Sequence, residues 1–163
     1  MFSVFKNINR FVGKSKTLDY SAIFLARFLP YLLVVFLFLY SLRARDINLF
    51  VFPVISGVLA RLLNEVVHIF YKEQRPASLS EAKVIIPVPK SLSMPSGHAS
   101  FFFAMSFMTF FYNIPLAVIF IICSCLIGIA RVFCGVHWFR DIIAGTVMGF
   151  ISSIIVLGLV NLL

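Results

Sequence analysis

The chain has 163 residues, of which 61% are hydrophobic and only 12% are charged, and 20 are phenylalanine. Soluble domains carry about 25% charged residues, so this composition excludes an ordinary water-soluble protein and indicates a membrane protein. The net charge of +8 does not point to nucleic acid. The basic residues lie beside apolar segments, where they can anchor lipid headgroups or bind anionic substrates.

The apolar segments predict an all-α integral membrane protein, with one domain over residues 1–163. Residues 1–17 place apolar and basic side chains at helical spacing, which predicts an amphipathic helix lying in the membrane interface. The first long segment reads as a retained helix and not as a cleaved signal peptide. We expect a bundle of about five transmembrane helices after the interfacial helix, because a span needs about 20 apolar residues. These spans are predicted at 20–41, 47–71, 98–112, 115–134 and 141–163.

One connection is much longer than the others and covers residues 72–97. It is rich in proline and lysine, and long connections in compact domains are commonly functional. If the spans alternate in direction, the N-terminal segment, this loop and the turn at 134–141 all lie on one face of the membrane. We therefore interpret 72–97 as an active-site loop.

The second predicted span carries a polar stripe, because its polar residues recur at steps of three or four. Ionisable groups at membrane depth normally face the interior of a bundle. We expect Glu65 to pair with Arg27 or Arg61, and the alternative is that Arg27 faces a water-filled crevice. The stripe comprises Arg61, Asn64, Glu65, His68, Lys72 and Arg75.

The last connection contains a histidine and a carboxylate four residues apart, His137 and Asp141. On a helix this spacing puts both on one face. The carboxylate can hold the Nδ1 proton of the imidazole and leave Nε2 as a free lone pair. A neutral, oriented imidazole can attack phosphorus and form a phosphohistidine. The alternative is a structural role, in which an interfacial histidine pairs with an aspartate only for hydrogen bonding.

Other residues on the same face complete a phosphate-handling set. Ser96, Gly97 and His98 open the third predicted span, where free backbone N–H groups can bind phosphate oxygens and a protonated His98 can serve as general acid. Arg75 and Arg131 are suited to bidentate contact with phosphoryl oxygens. Each of these features also has an ordinary structural explanation, an N-cap or a snorkelling arginine. Their occurrence together on one face favours catalysis.

A metal centre is the alternative for the same histidines. His68, His98 and His137 with Asp141 could in principle bind zinc, but no two histidines have a local ligand spacing. The surrounding arginines would also repel a cation, so we expect no metal or other cofactor. The three cysteines, Cys123, Cys125 and Cys134, give neither a disulfide framework nor a metal pattern and are interpreted as packing residues.

These motifs together resemble the type 2 phosphatidic acid phosphatase family of integral membrane enzymes, which shares its site with vanadium haloperoxidases. The family pattern is K-x6-R-P, then P-S-G-H, then S-R-x5-H-x3-D. This chain has His68-x6-Arg75-Pro76, then Pro95-Ser96-Gly97-His98, then Ala130-Arg131-x5-His137-x3-Asp141. The resemblance covers residues 60–150 by motif and the whole chain by architecture.

The resemblance implies a role for each matching residue. It implies that His137 is the nucleophile, Asp141 its orienting partner and His98 the general acid, with no metal. It implies phosphate binding by Arg75, Ser96, Gly97 and Arg131. Two positions depart from the pattern: His68 replaces the first lysine, for which Lys72 one turn later is an alternative, and Ala130 replaces a serine.

Within this family the short chain, amphipathic N-terminus and five predicted spans are most similar to the bacterial undecaprenyl diphosphatases. That similarity implies removal of the terminal phosphate of undecaprenyl diphosphate in cell-wall biogenesis, at the extracytoplasmic face of the bacterial plasma membrane. The basic residues of the N-terminal segment lie on the same predicted face, and the positive-inside rule would instead place that face in the cytoplasm. Phosphatidylglycerophosphate, phosphatidic acid and lipid A phosphatases share the motifs and remain alternative functions. A function of another class is non-catalytic binding or transport of anionic lipid. The expected partners are a lipid phosphate and the bilayer, with no nucleic acid.

Overall fold

A computed structural model of the chain describes residues 2–88 and 90–162, and over these residues the secondary structure is entirely helical. Met1, Pro89 and Leu163, which the predicted ranges include, lie outside the described residues. A short 3-10 turn at Pro76–Ser78 interrupts the long connection. The α-helices are α1 (Phe2–Asn9), α2 (Lys16–Arg27), α3 (Leu29–Ala44), α4 (Asn48–Phe70), α5 (Gly97–Phe110), α6 (Ile114–Phe133) and α7 (Phe139–Val160).

Helices α4, α6 and α7 are each long and apolar enough to cross a membrane. Helices α2 and α3 meet at a bend of 47° and make a fourth candidate if the pair counts as one span. Helix α5 has 14 residues, which is short of the roughly 20 that a straight crossing needs. The all-helical membrane fold is therefore confirmed, and the count of five spans stays a prediction.

The first predicted span, 20–41, is divided into two helices at Phe28, where a single helix was expected. Pro30 explains the break, because a proline has no backbone N–H to donate to the preceding turn and its ring clashes with that turn. A proline is well tolerated in the first turn of a helix, and Pro30 occupies that place in α3. The break leaves Arg27 as the last residue of α2.

Helix α5 lies in the centre of the bundle and packs against α4, α6 and α7. Two glycines of α7 let it approach α5 closely. A Cβ atom on Gly145 would lie 2.8 Å from the carbonyl oxygen of Ser96, and one on Gly149 would lie 2.7 Å from the backbone nitrogen of Ala104. On the other side, Asn64 of α4 bonds the Ser100 hydroxyl at 2.9 Å. The start of α5 is thus held tightly between α4 and α7.

Helix α1 is shorter than the predicted segment 1–17, and its buried Asn9 side chain links it to the long loop and to the end of α6. The Asn9 amide donates to the carbonyls of Lys83 and Phe133 at 2.8 Å each and accepts from the Lys83 backbone N–H at 2.9 Å. Gly135 lies beside this junction with φ +81°, and a Cβ there would be 2.5 Å from the Lys83 carbonyl oxygen. Helix α1 therefore fastens the long loop to the end of α6.

The predicted pairing of Glu65 with Arg27 or Arg61 is wrong. Glu65 is exposed, and its carboxylate lies 3.4 Å from Nδ1 of His68 on the same helix. Arg61 points elsewhere, with its guanidinium carbon 3.4 Å from where a Cβ of Gly97 would be. The missing side chain of Gly97 leaves room for the guanidinium at the start of α5, so Arg61 turns away from Glu65.

Candidate active site

The loop before α5 and the connection between α6 and α7 are joined by hydrogen bonds at one end of the bundle. The Ser96 backbone N–H donates to the Asp141 carbonyl at 3.0 Å, and the two ends of the long loop are joined by the Ser93 N–H, which donates to the Glu73 carbonyl at 2.9 Å. The Trp138 indole donates to the Gln74 carbonyl at 3.0 Å. The three sequence motifs therefore meet in space.

His137 and Asp141 form a buried pair in which Nδ1 of the imidazole lies 3.2 Å from Oδ2 of the carboxylate. A carboxylate can only accept, so the shared proton belongs to Nδ1 and Nε2 carries the lone pair. Burial lowers the pKa of His137 from its ordinary 6.5 to about 4, against the opposing effect of Asp141. The ring is therefore neutral at physiological pH and oriented for nucleophilic attack.

Asp141 is itself oriented by two further donors, one of which the sequence analysis missed. The Ser93 hydroxyl donates to Oδ2 at 2.5 Å, and the Trp138 backbone N–H donates to the same oxygen at 2.9 Å. Both Ser93 and Asp141 are fully buried. A serine in an irregular loop has no spacing signal that would reveal this contact, which depends on how the loop folds back over α7.

All five N–H groups of Arg75 have partners. Nε and Nη2 bond Ser91 and the Leu92 carbonyl at 2.9–3.0 Å. Nη1 donates to the Val136 carbonyl at 2.9 Å and lies 3.0 Å from Nε2 of His137. Burial lowers the pKa of Arg75, and the charge of Asp141 raises it in part. Arg75 thus fastens the loop to His137, and any contact of its Nη1 with a phosphate would require an exchange of partners.

Arg131 differs from Arg75, because its guanidinium has no hydrogen bond within the described residues. Its Nε is buried and unpartnered. The Ser96 hydroxyl, at the N-cap of α5, is likewise buried without a partner. Gly97 is the first residue of α5, and His98 follows it. These groups, next to free backbone N–H groups at a helix start, suit the oxygens of a phosphate.

His98 lines two adjoining cavities. The first, of about 230 Å³, is bounded by Arg131, Arg27 and apolar residues. The second, of about 320 Å³, is bounded by Arg61, Gly97 and apolar residues. Arg27 and Arg61 were not predicted as site residues. Arg27 borders a cavity, and whether water fills it, as the crevice alternative holds, stays a prediction.

His68 and Lys72 have no hydrogen bond or ion pair to the other site residues. His68 contacts Glu65, its Nε2 is buried without a partner, and Lys72 is exposed. Within residues 2–88 and 90–162, no group of three or more histidine, cysteine or acidic side chains is close enough to hold a metal ion.

Comparison with known proteins gives the family. The PAP2 superfamily model matches residues 49–162. The chain is 32% identical to an undecaprenyl-diphosphatase of Sulfolobus acidocaldarius, over 90% of this chain and 71% of that protein. It is 27% identical to the bacitracin transport permease protein BcrC of Bacillus licheniformis, over 93% of this chain and 76% of the relative.

Solved structures share the fold. The crystal structure of Aquifex aeolicus LpxE superposes with a TM-score of 0.67 at 25% identity and covers 96% of this chain and 94% of its own. A PAP2-type phosphatidylglycerolphosphate phosphatase from Bacillus subtilis gives a TM-score of 0.69 at 19% identity, with 98% and 85% covered. The match of the family model to most of the chain, with the three motifs assembled at one end of the bundle, makes this protein a member of the PAP2 superfamily and a lipid phosphatase.

Proposed function

We propose that this phosphatase removes the terminal phosphate of a lipid diphosphate and that its substrate is undecaprenyl diphosphate. The proposed reaction proceeds through a phosphohistidine intermediate and needs no metal. The observation that carries the proposal is the buried His137, neutral and held through Nδ1 by Asp141 at 3.2 Å. The relative named undecaprenyl-diphosphatase, at 32% identity, supports the substrate.

In the first step Nε2 of His137 attacks the terminal phosphorus. The N–P bond forms while the bond from phosphorus to the bridging oxygen breaks, and that oxygen leaves with the electron pair and receives a proton from His98. Arg131 and the N–H groups at the start of α5 neutralise the equatorial oxygens, where electrostatics contribute most to phosphoryl transfer. A water molecule then attacks phosphorus, passes its proton to His98 and releases inorganic phosphate and free His137.

Arg75 has a distinct part in this scheme. Its Nη1 lies 3.0 Å from the atom that attacks. A phosphoryl oxygen entering between them can accept the same N–H, which frees the Nε2 lone pair at the moment substrate is present. We therefore assign Arg75 to phosphate binding through exchange of this one contact, while its bonds to the loop stay in place.

Phosphate release by detergent-purified protein from undecaprenyl diphosphate, with EDTA present, tests the proposal. Wild type should be active and His137→Asn inactive, and wild type quenched during turnover should carry an alkali-stable, acid-labile phosphate that the variant lacks. Activity of the variant, or a requirement for added divalent cation, would overturn the mechanism. Release only from phosphatidylglycerophosphate, phosphatidic acid or a lipid A phosphate would overturn the substrate.

A second candidate is a protein that binds or transports anionic lipid, because one relative is named a transport permease. Binding alone does not need an imidazole oriented by a carboxylate, so the His137–Asp141 pair favours catalysis. If neither the wild type nor His137→Asn released phosphate while both bound anionic lipid equally well, the transport candidate would replace the enzyme.

We also propose that the site faces the extracytoplasmic side of a bacterial plasma membrane. Ser80 is an exposed residue of the long loop, and Arg43 lies at the opposite end of the bundle, near the C-terminus of α3. In a cysteine-free background, Ser80→Cys should react with an impermeant thiol reagent in whole cells, and the control Arg43→Cys should react only after lysis. The reverse pattern would place the site in the cytoplasm.

A further inference from the structure

Two arginines beyond the predicted site lie around His98 and have no protein partner. Arg27 borders the first of the two cavities described above, and Arg61 borders the second. His98 and Tyr31 line both cavities, so the two spaces adjoin. Within the described residues, neither guanidinium has a hydrogen bond or an ion pair, and the acidic residue nearest in sequence to Arg61, Glu65, contacts His68 instead.

Arg27 and Arg61 lie on the side of the site where the leaving group of the proposed reaction would be. His137 supplies the attacking atom, and His98 protonates the oxygen that leaves, so the departing part of the substrate must lie on the His98 side. Beside His98, the first cavity is lined by Arg27 together with Arg131, and the second by Arg61 together with apolar side chains, among them Val34, Phe101 and Phe102. These cationic and apolar linings fit a leaving group that carries negative charge next to an apolar tail.

Resting on the proposed function, we propose that Arg27 and Arg61 form a subsite for the phosphate that remains on the lipid, and that this subsite selects diphosphates over monophosphates. When the phosphorus–oxygen bond of a diphosphate breaks, the departing oxygen belongs to a phosphate that gains negative charge. Two guanidinium groups positioned there stabilise that charge in the transition state.

A lipid monophosphate has a leaving group of different charge at the same position. Its leaving group is an alcohol, which becomes neutral once His98 has protonated it, so Arg27 and Arg61 have no anion to contact. Loss of either arginine should therefore harm the diphosphate reaction selectively. Removal of a hydrogen bond between charged groups costs about 1.5–3 kcal/mol, which corresponds to about 10- to 100-fold in kcat/KM.

The experiment compares two substrates with the same isoprenoid tail, one a diphosphate and one a monophosphate, in neutral detergent without anionic lipid. Arg27→Gln, Arg61→Gln and the double variant are measured beside the wild type. Arg43→Gln is the matched control, because Arg43 is an exposed arginine far from the site. We expect kcat/KM for the diphosphate to fall about 10- to 100-fold in each single variant, with the monophosphate rate unchanged within about threefold.

The ratio of the two kcat/KM values separates the possible outcomes. Equal losses on both substrates, or no loss on either, would refute the subsite while leaving the proposed phosphatase function intact. A wild type that released phosphate from neither lipid would refute the proposed function itself. The assays are then repeated with anionic lipid added. If the variants lose selectivity only with that lipid present, the arginines bind bulk headgroups, and this result would also refute the subsite.

Discussion

Replacement of Ser93 by alanine tests how far catalysis depends on the orientation of Asp141. The Ser93 hydroxyl donates to Oδ2 of Asp141 at 2.5 Å, and both side chains are fully buried. Without it, Oδ2 keeps its contacts with the Trp138 N–H and the imidazole of His137, while Oδ1 is already without a partner. The carboxylate would then be free to rotate, and it would fix the tautomer of His137 less firmly.

The expected magnitude follows from the strength of the lost bond. A hydrogen bond to a charged group contributes about 1.5–3 kcal/mol. If it acts on the orientation of the nucleophile, most of that loss falls on the transition state. We therefore expect kcat of Ser93→Ala to fall about 10- to 100-fold, with little change in KM, because Ser93 has no predicted contact with the substrate.

Steady-state phosphate release in detergent, together with thermal unfolding, checks this expectation. Ser106→Ala is the control, because Ser106 is a fully buried serine on α5 whose hydroxyl bonds Phe102 and Ser124 away from the site. Since Ser93 acts through Asp141, the double variant Ser93→Ala/Asp141→Asn should be no slower than Asp141→Asn alone. Additive losses, or a wild-type kcat in Ser93→Ala, would refute the reasoning.

Three further predictions concern stability. Burial lowers the pKa of His137 from 6.5 to about 4, so unfolding takes up a proton between these pH values. The free energy of unfolding should therefore fall by about 3 kcal/mol as the pH drops from 6.5 towards 4. Melting curves of His137→Asn should lose most of that pH dependence. Gly135→Ala should lower the melting temperature by the equivalent of at least about 1–2 kcal/mol, because φ is +81° and the new Cβ would clash with Lys83. Asn9→Ala should cost about 1–3 kcal/mol for each backbone group left unpaired and speed proteolysis of the loop, whereas exposed Asn48→Ala should do neither.

The helices could be predicted from the sequence because membrane spans have a strong local signal. The predicted span 47–71 corresponds to α4 at Asn48–Phe70, and 115–134 corresponds to α6 at Ile114–Phe133. The division of 20–41 at Phe28 could have been anticipated from Pro30, which hydropathy averaging conceals. Whether α5, with 14 residues, crosses the membrane is not a local property, since it depends on how its neighbours enclose it.

The individual side-chain contacts of the candidate site were predictable only where the residues are close in sequence. A spacing of four residues predicts the contact between His137 and Asp141, and their nitrogen and oxygen lie 3.2 Å apart in the structure. The contact of Ser93 with Asp141 joins residues 48 positions apart, and no periodicity encodes it. The predicted pairing of Arg61 with Glu65 was wrong for a related reason. Spacing along the helix suggested Glu65 as a partner, whereas the space beside Gly97 that the guanidinium occupies exists only in the packed bundle.

Arg75 and Arg131 were indistinguishable in the sequence, yet the folded protein uses them differently. Arg75 has every N–H group engaged, and one of them lies against Nε2 of His137. Arg131 has a buried Nε without any partner. An unpartnered buried guanidinium is costly unless an anion joins it, so Arg131 favours the entry of phosphate. Exchange of the Arg75 contact with His137 would then be favourable, because a phosphate oxygen is a charged acceptor for Nη1 and the imidazole is a neutral one. In the proposed mechanism, substrate binding and the release of Nε2 of His137 from Arg75 are therefore the same event.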